Sequence, residues 1–303
     1  QRIDNFLVTK LKSLPRSRIY SLLRSGQVRV NKGRVKPDYR LQAGDELRLP
    51  PTYEVPPKEM APPTRQIDVL KSRILFDSKN LIVVNKPSGI AVHGGSGVNF
   101  GIIELLRHLY PQEKHLELVH RLDRDTSGCL LIAKKRSVLL ALHEKFRTGE
   151  VNKHYHALVL GKLRRAKTVD VPLTRQVLHS GERRVHASAM PANAKVSVTR
   201  FETLTRFTDC TLLSARPETG RTHQIRVHAA HLGHPIAGDE KYGDSGFNQK
   251  MHELGLKRLF LHAYQIAVKI PQETQALLFT APLDDDLAAV LARLKEARIS
   301  AKP

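Results

Sequence analysis

The sequence predicts an α+β protein in two parts: a small N-terminal unit of two helices and a hairpin, and a larger unit built on a mixed, mostly antiparallel central sheet with flanking helices. Three observations carry this. Short β-type runs succeed one another from Arg73 onward with only four helical patterns among them. Six prolines (Pro50, Pro51, Pro56, Pro57, Pro62 and Pro63) crowd the segment before that point, and residues 1–50 have helical periodicity and turn signals of their own.

Ile3, Leu7, Leu11 and Leu14 recur at helical spacing, and Pro15 stands where a second helix would begin. That helix carries Ile19, Leu22 and Leu23 and stops at Gly26. Alternating runs over 27–31, 34–41 and 46–49 follow, separated by Asn31-Lys32-Gly33 and Gly44-Asp45, which are turn signals. The proline density argues for an extended connector over 51–72, because proline prevents helix and central strand alike. Three segments result: a module at 1–50, a linker at 51–72 and a main domain at 73–303. In the main domain, strands are expected over 81–85, 129–135, 154–160, 196–204, 210–215 and 260–270. Helices are expected over 100–110, 137–147, 222–232 and 284–299.

The chain has 303 residues, 41% apolar and 26% charged, enough for a sizeable core. Fifty Lys and Arg against 29 Asp and Glu leave a formal charge of +21, far beyond what solubility needs, so a polyanionic partner is expected. Nothing approaches the ~18 apolar residues of a spanning helix, and no Lys-rich amphipathic helix stands out, so nucleic acid is favoured over membrane. Residues 1–50 alone hold 12 Lys or Arg against 4 Asp or Glu. Arg16, Arg18, Arg24, Arg29, Lys32, Arg34 and Lys36 crowd around the second helix and the turn after it, and are the candidate RNA contacts. Two cysteines, each within an apolar run, leave no disulfide framework and no Cys-based zinc site. With no signal-peptide apolar core, a reducing compartment, the cytoplasm, is expected.

The densest polar segment is HRLDRDTSG (120–128), held between the apolar runs 116–119 and 129–133. A turn whose Asp125, Thr126 and Ser127 bond backbone groups would explain part of it. Asp123 is different: flanked by Arg121 and Arg124, its carboxylate is expected to stay ionised and able to act as nucleophile or base. A second segment, RPETGRTHQIRVHAAHLGHP (216–235), opens a helix after Gly220, in which Arg226 beside small residues can point inward toward a carboxylate.

These segments carry a resemblance. HRLDRDTSG and GRTHQIRVH are similar to two signatures of the ribosomal large-subunit family of pseudouridine synthases. NKPSG (85–89), KHYHALVLG (153–161), PIAGDEKYG (235–243) and LFLHAYQIAV (259–268) are supporting matches in that family's order, and AVHGGSG (91–97) adds to the likeness. Residues 1–50, above all SRIYSLLRSGQVRVNKGRVK, resemble the αL-type RNA-binding module first described in a small-subunit ribosomal protein. The resemblance implies the pseudouridine synthase fold and isomerisation of uridine in large-subunit ribosomal RNA. It assigns Asp123 as the catalytic carboxylate, Arg121 as the residue filling the place of the flipped uridine, and Tyr155 as the aromatic stacked on uracil. Arg226 becomes the partner of the catalytic carboxylate and Ile225 the apolar residue packed near the base. Since the reaction involves no redox change, phosphoryl transfer or external nucleophile, it implies no metal and no organic cofactor, and a chain of this design is expected to work as a monomer.

Competing classes are weaker. His228, His231 and His234 partly share a helix face, yet no H-E-x-x-H pattern accompanies them. The run Gly94-Gly95-Ser96-Gly97 is neither a Walker loop nor a nucleophile elbow, and reads as a flexible loop on the substrate side. An RNA methyltransferase would need G-x-G-x-x-G after a strand, and none occurs. A non-catalytic ribosome-binding protein would share the charge without needing Asp123 opposite Arg226.

Overall fold

The computed structural model describes residues 1–11, 14, 16–51, 62–95, 100–177, 183–187, 194–270, 273 and 275–300, and the chain divides into two compact units, Gln1–Ala61 and Pro62–Pro303. In the first unit, α1 (Ile3–Lys10) and α2 (Arg16–Arg24) bury Ile3, Leu7, Ile19, Leu22 and Leu23 together with Val28 and Val30. This is the apolar stripe that helical spacing predicts. After Gly26, which ends α2 with φ +69, β1 (Arg29–Val30) pairs antiparallel with β2 (Leu47–Arg48). Asn31 and Lys32 both have positive φ (48 and 66), the geometry of a type I′ turn. The Asn31 amide stabilises it by donating to Asp45 Oδ1 (2.8 Å) and accepting from Glu46 N (2.9 Å).

The run at 34–41 is not a strand. Its carbonyls are used by α1 instead: Tyr39 O accepts from Ile3 N (2.8 Å) and Pro37 O from Asp4 N (3.3 Å), which satisfies N–H groups that a helix start leaves without intrahelical partners. Only Arg40 makes a bridge, to Arg2. Arg16, Arg18, Arg24, Lys32, Arg34 and Lys36 are exposed, and Arg29 is half-buried.

The second unit runs α3 (Thr64–Ser72), β3 (Ile74–Asp77), β4 (Leu81–Lys86), α4 (Ile102–Leu109), β5 (Glu117–Leu118), β6 (Ser127–Ala133), α5 (Arg136–Thr148) and β7 (Asn152–Leu160). It continues with β8 (Lys167–Asp170), β9 (Leu173–Val177), β10 (Arg183–Ala187), β11 (Val198–Arg206), β12 (Cys210–Pro217), α6 (Gln224–His231), α7 (Ser245–Glu253), β13 (Leu261–Val268), β14 (Leu277–Thr280) and α8 (Asp285–Ser300). Ten strands form one sheet in the order β3-β4-β6-β13-β7-β12-β11-β8, with β14 on β13 and β5 on β6. Every pairing is antiparallel except β13 with β6. The separate β9–β10 hairpin joins α6 through Val185 and Val227. Part of the expected linker, residues 64–72, is the helix α3 and lies in the second unit. Residues 52–61, with Pro56 and Pro57, lie outside the described residues, as do 96–99 of the glycine-rich loop.

The central strands explain the unbroken apolar runs of the sequence. In β6, Cys129, Leu131 and Ala133 face a core shared with Val138 and Leu142 of α5, while Leu130 and Ile132 face a second core shared with α3 and α4. A strand covered on both faces reads as continuous rather than alternating. A third core joins β7, β11 and β12 to α6, α7 and α8. Strands β6 and β13 touch only at their beginnings (Ser127 with His262, Gly128 with Ala263). Gly128 makes that contact: its φ is +110, and a Cβ would stand 2.3 Å from Ala263 O. The loop before β6 is thereby held where the two strands meet. Among the described residues no helix is long and apolar enough to cross a membrane.

Candidate active site

The loop between β5 and β6 is fastened from behind by the NKPSG segment. The ammonium of Lys86, fully buried, donates to Pro87 O (2.9 Å), Ile90 O (2.8 Å) and Arg124 O (2.9 Å). Burial pushes it down to about 7, with the charges of Asp125 and Asp123 pulling the other way. Gly89 N also donates to Arg124 O (2.9 Å), and Ser88 Oγ to Asp125 O (2.7 Å). At the other end, the His120 ring stacks on Phe146 (4.9 Å between centroids) and its Nε2 accepts from Leu131 N (3.1 Å). Burial, then Lys153, pushes this imidazole down to about 3, so it is neutral.

So anchored, the loop presents Asp123, half-buried, to a cleft of about 1400 Å³. Arg121, Tyr155, Ile225 and Arg226 line the same cleft, so four side chains from three separate segments are brought to Asp123. Tyr155 comes from β7, opposite an irregularity in β13 between His262 and Gln265. Its ring packs on two of the cores, and burial, then the Asp123 charge, raises its phenol well above the ordinary range, keeping it protonated. Arg121 is exposed at the rim. Arg124 forms its ion pair with Asp125 (3.1 Å) rather than with Asp123.

The start of α6 is set by Gln224, whose Oε1 accepts from Thr219 Oγ1 (2.7 Å) and Arg221 N (2.9 Å) while Nε2 donates to Val198 O (2.9 Å) and Thr199 Oγ1 (3.0 Å). Ile225 (6% exposed) and Arg226 (8%) follow on the buried side. Here the pairing read from sequence is corrected. Arg226 directs its fork at Asp239, Nε to Oδ2 and NH2 to Oδ1, both 2.7 Å, and lies over the Tyr242 ring. Asp239 Oδ1 also accepts from Lys241 N (2.9 Å) and Tyr242 N (3.0 Å). The backbone donors orient the carboxylate toward the arginine, and Asp123 acts on Arg226 only through its charge. Burial works against ionisation of both partners, but the shared hydrogen bonds, the opposite charges and the backbone donors to Asp239 together outweigh it and hold Asp239 below, and Arg226 above, their ordinary values.

The side chain closest to Asp123 in the ion-pair geometry is one that sequence reasoning passed over: His223 Nε2 lies 4.0 Å from Asp123 Oδ2. Asp239 and Tyr242 were visible only as letters of the PIAGDEKYG motif, without roles. His228, noted for metal spacing, is buried between Thr199 Oγ1 (2.9 Å) and Val171 O (3.0 Å), and His234 bonds Leu160 O (2.7 Å). No group of three His, Cys, Asp or Glu among the described residues could hold a metal ion.

Comparison with known proteins agrees with this layout. Residues 80–231 match the RNA pseudouridylate synthase family, and residues 1–47 match the S4 domain. A curated relative from Haemophilus influenzae, named Ribosomal large subunit pseudouridine synthase C, is 53% identical over 302 residues, covering 98% of this chain and 92% of its own. One of the same name from Escherichia coli is 50% identical over 303 residues, covering 98% and 94%. Among solved structures, Human RNA Pseudouridylate Synthase Domain Containing 4 aligns with a TM-score of 0.63 at 29% identity, over 76% of this chain and 96% of that one. The fold, the cleft around Asp123 and these relatives lead to one conclusion: the chain belongs to the RNA pseudouridylate synthase family and carries an S4 domain at its N-terminus.

Proposed function

We propose that this protein converts uridine to pseudouridine at defined positions of large-subunit (23S) ribosomal RNA, working in the cytoplasm as a monomer, with Asp123 as the essential carboxylate. The observation that carries the reading is Asp123 in a cleft shared with a half-buried tyrosine, a buried arginine and an exposed one. A base inside a helix must first leave its stack, at a cost of a few kcal/mol. Arg121, exposed at the rim, fills the vacated place. The N1–C1′ bond then breaks, the uracil turns, and C5 bonds to C1′. The C5 proton leaves and N1 gains one, so the product is an isomer of the substrate and no other reactant is consumed. Asp123, in this reading, meets the ribose at C1′ or takes a proton beside it. Tyr155 offers a face on which the detached base turns, and a protonated phenol that can exchange a proton with it. Ile225 supplies an apolar contact to the ring. Arg226, held by Asp239, lends positive charge on the side of Asp123.

RNA anchoring falls to the N-terminal unit, whose exposed basic residues Arg16, Arg18, Arg24, Lys32, Arg34 and Lys36, with half-buried Arg29, are proposed phosphate contacts. The relatives named for the large ribosomal subunit support that choice of RNA. The test is a pseudouridine map of ribosomal RNA from cells with and without this protein. Loss of modification at discrete large-subunit uridines is expected, and an unchanged map overturns the reading.

A further inference from the structure

The residue opening α6, His223, adopts a left-handed backbone (φ +55), uncommon for side-chain-bearing residues although His, with Asn and Asp, takes it up more readily than most. This conformation sends the imidazole between two partners. Its Nδ1 lies 2.9 Å from the Tyr242 hydroxyl, and that hydroxyl accepts from Val185 N (3.0 Å). A backbone N–H can only donate, so Val185 takes up one lone pair of the phenol oxygen and leaves the phenol's own hydrogen free to donate to Nδ1. With that hydrogen bond made, the ring hydrogen of neutral His223 sits on Nε2, the nitrogen 4.0 Å from Asp123 Oδ2. A small rotation of either side chain makes this a hydrogen bond to the carboxylate.

We propose that His223 is a positioning residue for Asp123: its Nε2–H engages Oδ2 and leaves Oδ1 directed at the ribose, with Tyr242 and Val185 setting the tautomer. The inference rests on the function proposed above. Burial holds the imidazole below its ordinary value, and Asp123 pulls it up. The charged groups facing it are Asp123 and, beyond that, Arg121 and Arg124 from the loop before β6, Arg226 on α6, and Asp239 and Lys241 from the turn that also carries Tyr242. At neutral pH the neutral donor form persists. In acid the imidazolium pairs with Asp123 outright and restrains it, adding a limb of inactivation below pH 6.5, the ring's ordinary value.

Two arms test this, and they separate its failure from failure of the isomerase reading. Nitrogen-15 spectra of His223 in the folded chain read the tautomer without any turnover. Nε2–H is expected in the wild type, a mixture in Tyr242→Phe, and a lower His223 pKa in Asp123→Asn. An Nδ1–H wild type, or a His223 pKa unmoved by Asp123→Asn, overturns the proposal even in an active enzyme. The second arm is single-turnover kinetics on a defined RNA. His223→Asn tolerates the left-handed backbone but cannot reach Asp123, so its rate should fall by roughly tenfold to a hundredfold, the worth of a hydrogen bond to a charged group, with little change in KM. His223→Gln reaches as far as Nε2 and carries an N–H that does not titrate. It should recover most of the rate and lose the acid limb. Equal losses in both variants, or a KM effect matching the kcat effect, would reduce His223 to a structural or RNA-binding role.

Discussion

Replacing Asp239 by Asn tests whether the Arg226 fork holds the site together. The Asp239 side chain is fully buried and that of Arg226 nearly so, 0% and 9% exposed. Oδ1 accepts three hydrogen bonds, from Arg226 NH2 and the amides of Lys241 and Tyr242. In Asp239→Asn the amide oxygen keeps those three, while the amide nitrogen replaces Oδ2 and points N–H groups at Arg226 Nε, which donated there. One bond is lost and a buried guanidinium no longer has a counter-charge. Breaking a buried pair by removing one partner costs about 3–5 kcal/mol. In a unit of this size, that is a fall of roughly 6–20 °C in melting temperature. The guanidinium, released toward Asp123 as the next carboxylate whose charge it feels, would bind it, so the rate of pseudouridine formation should also drop by at least about tenfold. Adding Arg226→Met should restore part of the stability and none of the activity, because it removes the buried guanidinium left without a counter-charge, which is the source of the cost. Thermal melts followed by single-turnover assays on one RNA measure both. If Asp239→Asn melts within about 2 °C of wild type and turns over normally, the fork does not hold Arg226 and the argument fails.

Other expectations follow from the same structure. Tyr155→Phe keeps the ring and should bind flipped substrate almost normally while turning over more slowly, by up to roughly 10²- to 10⁴-fold, the range of a missing proton-transfer group. Tyr155→Leu should in addition weaken capture of the base by about 1–3 kcal/mol. A Phe variant as fast as wild type would make the hydroxyl a bystander. Removing residues 1–50 should weaken RNA binding and flatten its dependence on salt by somewhat under one unit for each phosphate the module had neutralised; an unchanged slope would remove the module from the binding surface. Stability should fall in mild acid, because His120 stays neutral in the fold down to about pH 3 while the unfolded chain takes up its proton below 6.5. The sign is fixed by the unfolded state binding more protons in that window, and by pH 5 the loss from His120 is on the order of 2 kcal/mol. Asp239 does not share in it, since its contribution is present above 3.8 and lost only in stronger acid. Urea midpoints at pH 7 and pH 5 measure the effect, and His120→Gln should lessen it.

The features legible in the sequence were those with a strong local signature. The run at 129–133 could be read as a strand because both of its faces are buried, and α6 because Gly220 and Gly233 bracket it. Helix α7 was not legible: of its nine residues only Phe247 and Met251 are buried, too few for a periodicity to stand out. Helix α3 was absorbed into the proline-rich linker for the same reason, with Leu70 its one buried residue. In the site, Asp123 and Arg226 stood out as charges in dense polar segments, Tyr155 came from motif resemblance, and their gathering in one cleft needed the fold. The partner of Arg226 was misread because Asp239 lies thirteen residues away across a turn, where helical spacing rules have no reach. His223 was hidden by its backbone, since only a left-handed residue at the helix start turns its ring toward Asp123.

The central claim is that Asp123 is essential to the chemistry, and near-isosteric substitution tests it most directly. Wild type and Asp123→Asn, purified alike, are compared for pseudouridine formed in a single turnover on a large-subunit RNA fragment, with affinity for that RNA measured alongside. No detectable pseudouridine is expected from Asp123→Asn, with RNA affinity within a few-fold of wild type, because phosphate contacts dominate binding. Substantial isomerisation by Asp123→Asn would contradict it.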